Sequence, residues 1–263
     1  MSISSLWKKL VGIILDLLGT TKSWDQCTLS SNWDGENAEK RMMNILSPHM
    51  PDSVFKERMS FIKSRGANCV HVFVCNKGDG EYAGYSICGS KFTPGSVDKD
   101  YANAMLKRLK EIRRSGYGIV LWLAADDSST WNKTMSNNAK WYMQTLKSLG
   151  FFKYASMVVV GLEVDEYWSK ATTAEMINQL RGCYSGKIGV HETSNKIDYA
   201  DLADIMFYQT SPGKSPKEIA TLTKYVVAEL GKKPMCFFEL DRQANKKACE
   251  AALKAGAFAV GNY

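Results

Sequence analysis

A (β/α)8 barrel is the fold class this sequence predicts, and three observations predict it. Eight short runs rich in apolar, β-branched and aromatic residues recur along 263 residues, and helix-period segments separate them. Several of those segments end in glycine just before the next run, as at Gly66, Gly116, Gly150, Gly231 and Gly256, which suits a helix C-cap. A single barrel of this class needs roughly 250 residues, so one domain accounts for the length, and an open doubly wound sheet is the lesser option.

In chain order, residues 1–22 come first as an amphipathic helix. Ile3, Trp7, Leu10, Val11, Ile14, Leu17 and Leu18 recur at spacings of three and four, which is one helix face. Asp16 interrupts the apolar run and no small-x-small cleavage site follows, so a helix packed on the domain is preferred to a signal peptide. An interfacial membrane anchor with Lys8 and Lys9 at the headgroups is the weaker alternative.

Residues 23–263 are expected to form the barrel. Its strands are RMMNILS near residue 41, NCVHVFVCN near 68, YGIVLWLAADD near 117 and MVVVGLE near 157. KIGVHET near 187, DIMFYQT near 204, PMCFFELD near 234 and AFAVGNY near 257 complete the set. Helical patterns cover residues 53–65, 101–114, 138–149, 173–181, 216–230 and 244–255. The sequence stops at Tyr263, directly after the eighth run, so the last helix of a regular barrel is missing. The N-terminal helix is expected to take its place beside strands one and eight.

Composition excludes several functions. The formal charge of +7 is scattered, and the densest basic run, KRLKEIRR at 107–114, alternates with apolar positions at helical spacing. It reads as a solvated helix face, so no nucleic-acid partner is expected. Seven cysteines, with no CxxC pair among Cys69, Cys75 and Cys236, read as buried thiols in the cytoplasm or another reducing compartment. GxGxxG and GxxxxGK[ST] are absent, so no nucleotide cofactor is expected. His71, His191 and Asp126 are the only set that invites a metal, and without HxH or HExxH spacing they read as hydrogen-bonding groups; no metal is expected.

The acids carry the chemistry. Barrel strands alternate between helix layer and interior, and catalytic groups sit at C-terminal strand ends. In the fourth strand, Val158, Val160 and Leu162 are assigned outward, leaving Val159, Gly161 and Glu163 inward. In the seventh, Cys236, Phe238 and Leu240 are assigned outward, with Met235, Phe237 and Glu239 inward. In the third, Ile119, Leu121 and Leu123 point outward, with Trp122, Ala124 and Asp126 inward. Two glutamates, Glu163 and Glu239, thus converge on one mouth.

On these residues the sequence resembles the clan of retaining glycoside hydrolases built on (β/α)8 barrels. That resemblance implies Glu163, ending strand four, as acid/base and Glu239, ending strand seven, as nucleophile, with a carbohydrate as substrate. It also implies a tyrosine ending strand six beside the nucleophile, here Tyr208. Three positions depart from the clan pattern: Leu162 stands where an asparagine usually precedes the acid, His71 where strand two tends to carry arginine, and Asn262 or Tyr263 where a tryptophan ends strand eight. A second resemblance, to chitinase-like barrels, rests on GLEVDEYW and on Met206-Phe207-Tyr208-Gln209. It implies Glu166 as acid and the acetamido group of an N-acetyl-hexosamine as nucleophile, and ranks lower because Asp165 is adjacent to Glu166.

Aromatic residues crowd the loops expected at the mouth. Tyr82, Tyr85 and Phe92 follow strand two, Trp131 follows strand three, and Tyr167 and Trp168 follow strand four. Such rings either stack on sugars or pack the loops down. Trp131, Trp168, Tyr208, Asp126, His191 and His71 are therefore the candidate substrate contacts, and a barrel that binds glycan without cleaving it is the remaining alternative.

Overall fold

The computed structural model describes residues 51–64, 68–75, 84–124, 129–211, 213–240 and 246–261. Seven strands run parallel in sequence order: β1 (Cys69–Phe73), β2 (Gly118–Trp122), β3 (Met157–Val159), β4 (Lys187–His191), β5 (Ile205–Gln209), β6 (Met235–Glu239) and β7 (Ala259–Val260). They are the second to eighth strands expected from the sequence. The expected first strand, the N-terminal helix and Asp126 lie outside the described residues.

Helices alternate with the strands: α1 (Asp52–Ser64), α2 (Lys99–Arg114), α3 (Ser129–Asn137), α4 (Ala139–Leu149), α5 (Lys170–Arg181), α6 (Pro216–Leu230) and α7 (Lys246–Lys254). Local chemistry sets their ends. Asp98 caps α2 by accepting from the Tyr101 amide at 2.9 Å, and Ser215 and Glu218 close a reciprocal capping box on α6 before Pro216. Gly150 ends α4 in the left-handed region (φ 85°), a conformation that only glycine adopts without strain. Helix α3 is an addition to the sequence reading, which treated that stretch as loop.

The sheet is curled into a barrel wall. In a flat sheet β1 and β6 would lie about 24 Å apart, five spacings of ~4.8 Å. Instead the rings of Phe73 on β1 and Phe238 on β6 have centroids 6.3 Å apart. Side chains of Phe73, Trp122, Val159, Phe207 and Phe238 fill the interior as one cluster, while a second and larger cluster joins the outer strand faces to the helices.

Parity assignments on three strands are corrected. On β6 it is Cys236 and Phe238 that enter the interior, with Met235, Phe237 and Leu240 in the outer cluster. Met235 to Phe238 alternate regularly, but a register shift follows, Phe237 pairing with Tyr208 and Glu239 with Gln209, so parity counted back from Glu239 gives them the wrong faces. A one-residue slip exchanges faces, and strict counting across a bulge fails. After β2, Ala124 joins the outer cluster, and after β3 Leu162 joins the interior, because the chain has already left extended geometry there.

Among the described residues, the cysteines depart from the thiol reading at Cys69. Cys75, Cys88, Cys183, Cys236 and Cys249 are free thiols, whereas Cys69, inside the barrel on β1, is disulfide-bonded.

Candidate active site

Strand β3 ends at Val159, and the backbone reaches Glu163 in the left-handed region (φ 46°, ψ 48°) before a 3-10 turn at Val164–Glu166. For a residue with a side chain this costs roughly 1–2 kcal/mol. Non-glycine strain of this kind gathers at functional sites. Glu163 is thus presented at the C-terminal end of the barrel by a strained turn and not by strand alternation. Glu163→Gly is expected to abolish activity yet raise the thermal midpoint by about 2–4 °C, the equivalent of ~1 kcal/mol in a chain of this size. Differential scanning calorimetry checks this; a fall in the midpoint would show that the turn carries no strain.

His191 and Gln209 both hold Glu163. Its backbone N–H donates to His191 Nδ1 at 3.0 Å, at the end of β4. Gln209 Nε2, at the end of β5, donates to Glu163 Oε1 at 2.6 Å and to Ser194 Oγ at 3.0 Å. Gln209 is in turn the backbone register partner of Glu239. Sequence reasoning missed Gln209, although Ile205 and Phe207 in the interior give it the inward parity that would have found it.

His191 is fully buried, and burial pushes it down to about 3, so it is a neutral imidazole. His71, inside β1, is likewise pushed down to about 3 by burial, and its Nδ1 accepts from Trp122 Nε1 at 2.9 Å. Each histidine spends one ring nitrogen on a protein partner, as the hydrogen-bonding reading expects.

The acids that follow Glu163 do other work. Asp165 accepts from the Thr193 amide at 2.8 Å, the Thr193 hydroxyl at 2.7 Å and Lys196 Nζ at 2.7 Å. Burial alone would raise its pKa, but these donors outweigh burial and hold it below the ordinary aspartate value. Asp165 therefore clamps the loop after β4 onto the loop after β3. Glu166 is exposed on the 3-10 turn.

Glu192 is buried beside that clamp, with Oε2 accepting from the Tyr199 amide at 2.7 Å. Burial, reinforced by the nearby Asp165 and Asp198, raises it to about 7. A carboxyl whose folded pKa lies above its unfolded value withdraws stability as pH rises from the unfolded pKa, near 4.5, to about 7. Glu192→Gln is expected to remove that slope and to stabilise the protein by about 1–3 kcal/mol at pH 8, read as the difference between urea midpoints of wild type and variant across the range.

The aromatic candidates are turned away from the mouth. Tyr208 lies in the outer cluster with its ring edge-on to Phe237 at 5.8 Å, the alternate face from Phe207 and Gln209. Trp168 is buried with Nε1 donating to the Asn132 carbonyl at 2.9 Å, and Trp131 is buried against Phe92. The packing reading describes all three.

The sequence matches no family model and no curated protein. By structure the chain is similar to a GH113 β-1,4-mannanase, with a TM-score of 0.52 and 12% identity over 91% of this chain and 85% of that one. It is similar as well to a glycoside hydrolase family 5 protein from Bacteroides vulgatus (TM-score 0.60, 15% identity, 82% of this chain and 56% of that one). A β-glucosidase from Thermotoga maritima superposes with a TM-score of 0.55 at 11% identity, over 88% and 81% of the two chains. At such identities the likeness is one of architecture: the chain has the (β/α)8 barrel that these glycoside hydrolases share.

Proposed function

We propose that the protein is a glycoside hydrolase that cleaves a glycosidic bond in an oligo- or polysaccharide with two carboxylates and retention of configuration. One observation carries the proposal: Glu163 is held at the barrel mouth by Gln209, whose backbone is in register with Glu239. In this reading Glu163 protonates the leaving oxygen while Glu239 attacks the anomeric carbon, forming a glycosyl ester. Water then attacks that carbon, Glu163 takes its proton, and the Glu239 carboxylate is released. Retention requires the two carboxyl groups to stand ~5–5.5 Å apart during reaction. The barrel fold shared with a mannanase, a β-glucosidase and a family 5 hydrolase supports the assignment.

The chitinase-like alternative needs Asp165 or Glu166 free for catalysis. Asp165 is committed to Thr193 and Lys196 and Glu166 faces solvent, so that reading is the weaker one. The test is a panel of β-mannans, β-glucans and chitin oligomers, with proton NMR following the first-formed anomer. Retained configuration on a glycan lacking N-acetyl groups is the expected result; cleavage confined to N-acetylated substrates would transfer the case to the alternative, and binding without turnover to a glycan-binding barrel.

A further inference from the structure

Two polar atoms beside Glu163 are buried and have no hydrogen-bond partner: His191 Nε2 and Gln209 Oε1. Each belongs to a side chain already bonded to Glu163, His191 through Nδ1 and Gln209 through Nε2. The two orphans therefore belong to side chains that hold one residue from two adjacent strands, where His191 pairs with Phe207 and Gln209 follows two positions later. Both side chains are more than nine-tenths buried, at 0% and 7% exposure.

Their chemistry is fixed. Because Nδ1 of His191 accepts from a backbone N–H, and burial keeps the ring uncharged, its single proton resides on Nε2. That atom is a donor. Gln209 Oε1 can only accept. A sealed donor and a sealed acceptor, each lacking a partner, carry an unreturned desolvation cost, which a ligand that satisfies both would return. The group that accepts one hydrogen bond and donates another at a single oxygen is a hydroxyl.

We propose that His191 Nε2 and Gln209 Oε1 form a hydroxyl-recognition pair for an uncharged sugar ring lying against Glu163, with Nε2–H donating to the ring hydroxyl and that hydroxyl donating to Gln209 Oε1. The assignment rests on the glycosidase reading and deepens it. It also accounts for Leu162: the position before Glu163 is apolar and packed in the barrel interior, so any polar contact to the sugar beside the acid falls to β4 and β5. His71 is a different case, since its Nε2 lies against Gly261, where an added Cβ would stand 3.0 Å from it. Its Nδ1 is held by Trp122 Nε1 and it has no bond to Glu163 or Gln209.

The experiment uses the full chain with ¹⁵N-labelled histidine, and methyl β-mannoside, methyl β-glucoside and each of their monodeoxy analogues as probes. Saturation with a parent glycoside is expected to shift the Nε2 resonance of His191 with Nδ1 remaining unprotonated. One deoxy analogue is expected to bind about 10- to 100-fold more weakly than its parent, the loss that follows when both buried atoms stay unpaired. In Gln209→Met that discrimination should fall to within about 3-fold, whereas mere support of Glu163 would weaken parent and analogue equally. Sugar binding with an unmoved His191 Nε2, or with every deoxy analogue bound as tightly as its parent, overturns the pair while leaving the glycosidase reading intact. If no sugar binds and no glycan is cleaved, both fall together.

Discussion

Glu163→Gln is expected to lower kcat on an unactivated glycan by about 10²- to 10⁴-fold, the range that general acid–base catalysis contributes. The amide keeps the shape of the side chain but has no proton to give the leaving oxygen. The loss should shrink on a glycoside whose leaving group, such as dinitrophenolate, needs no protonation. Glu239→Ala should lose more, on the order of 10⁴-fold or beyond, and should lose it on both classes of substrate, because bond formation at the anomeric carbon is then absent. Azide separates the roles further. Added to Glu163→Gln it is expected to restore turnover of the activated substrate and to give a glycosyl azide of retained configuration; added to Glu239→Ala it should give the inverted azide. Equal losses on both substrates for the two variants, with no azide product, would remove this pair from the mechanism. Gln209 pairs through its backbone with Glu239 while its side chain holds Glu163, which is why the two glutamates are tested as a pair.

Much of this architecture is legible in the sequence, for reasons that are physical. The strands are buried on both faces, as parallel strands must be, so GIVLW at β2 and IMFYQ at β5 stand out as short apolar runs against amphipathic helices. Helix starts are legible where a side chain caps them, as Ser215 with Glu218 does on α6. What escapes is anything decided by a break in regular geometry. The register shift beside Tyr208 and Gln209 inserts one residue between Phe237 and Glu239, and alternation counted back from Glu239 along PMCFFELD has no means of registering it. Glu163 reaches the mouth for a reason parity does not contain, a left-handed backbone that a period of two cannot encode. The resemblance places Tyr208 at the mouth, yet Phe207 before it holds the inward face and leaves it the outward one. The loop contacts of Asp165 with Thr193 and Lys196 span about thirty positions in sequence and follow no motif, so only the fold discloses them.

Trp122→Ala is expected to be the most destabilising single substitution outside the acids. The indole is wholly buried at the centre of the interior, stacked on Phe73 at 5.4 Å and tilted against Phe238 at 4.5 Å, with Phe207 and His191 edge-on at 5.2 and 5.7 Å. Truncating a buried tryptophan costs about 3–5 kcal/mol through lost burial and the cavity left behind. A second cost is specific to this site. Trp122 Nε1 is the donor that satisfies His71 Nδ1, and His71 Nε2 has no partner, so the variant leaves a buried imidazole with both nitrogens unpaired. That adds roughly 1–3 kcal/mol, and the sum approaches the whole stability of an ordinary domain, about 5–15 kcal/mol. Trp122→Phe separates the two contributions: it restores most of the ring packing but not the donor, so its loss should be confined to about 1–3 kcal/mol. Because the alanine variant is expected to reach the edge of folding, the phenylalanine variant carries the test, by urea unfolding at pH 7. His71→Phe in the Trp122→Phe background then closes a double-mutant cycle. If the hydrogen bond is what Trp122→Phe loses, removing its buried acceptor should recover part of the loss; strictly additive costs would mean that ring packing alone, without the His71 contact, accounts for Trp122 at the barrel centre.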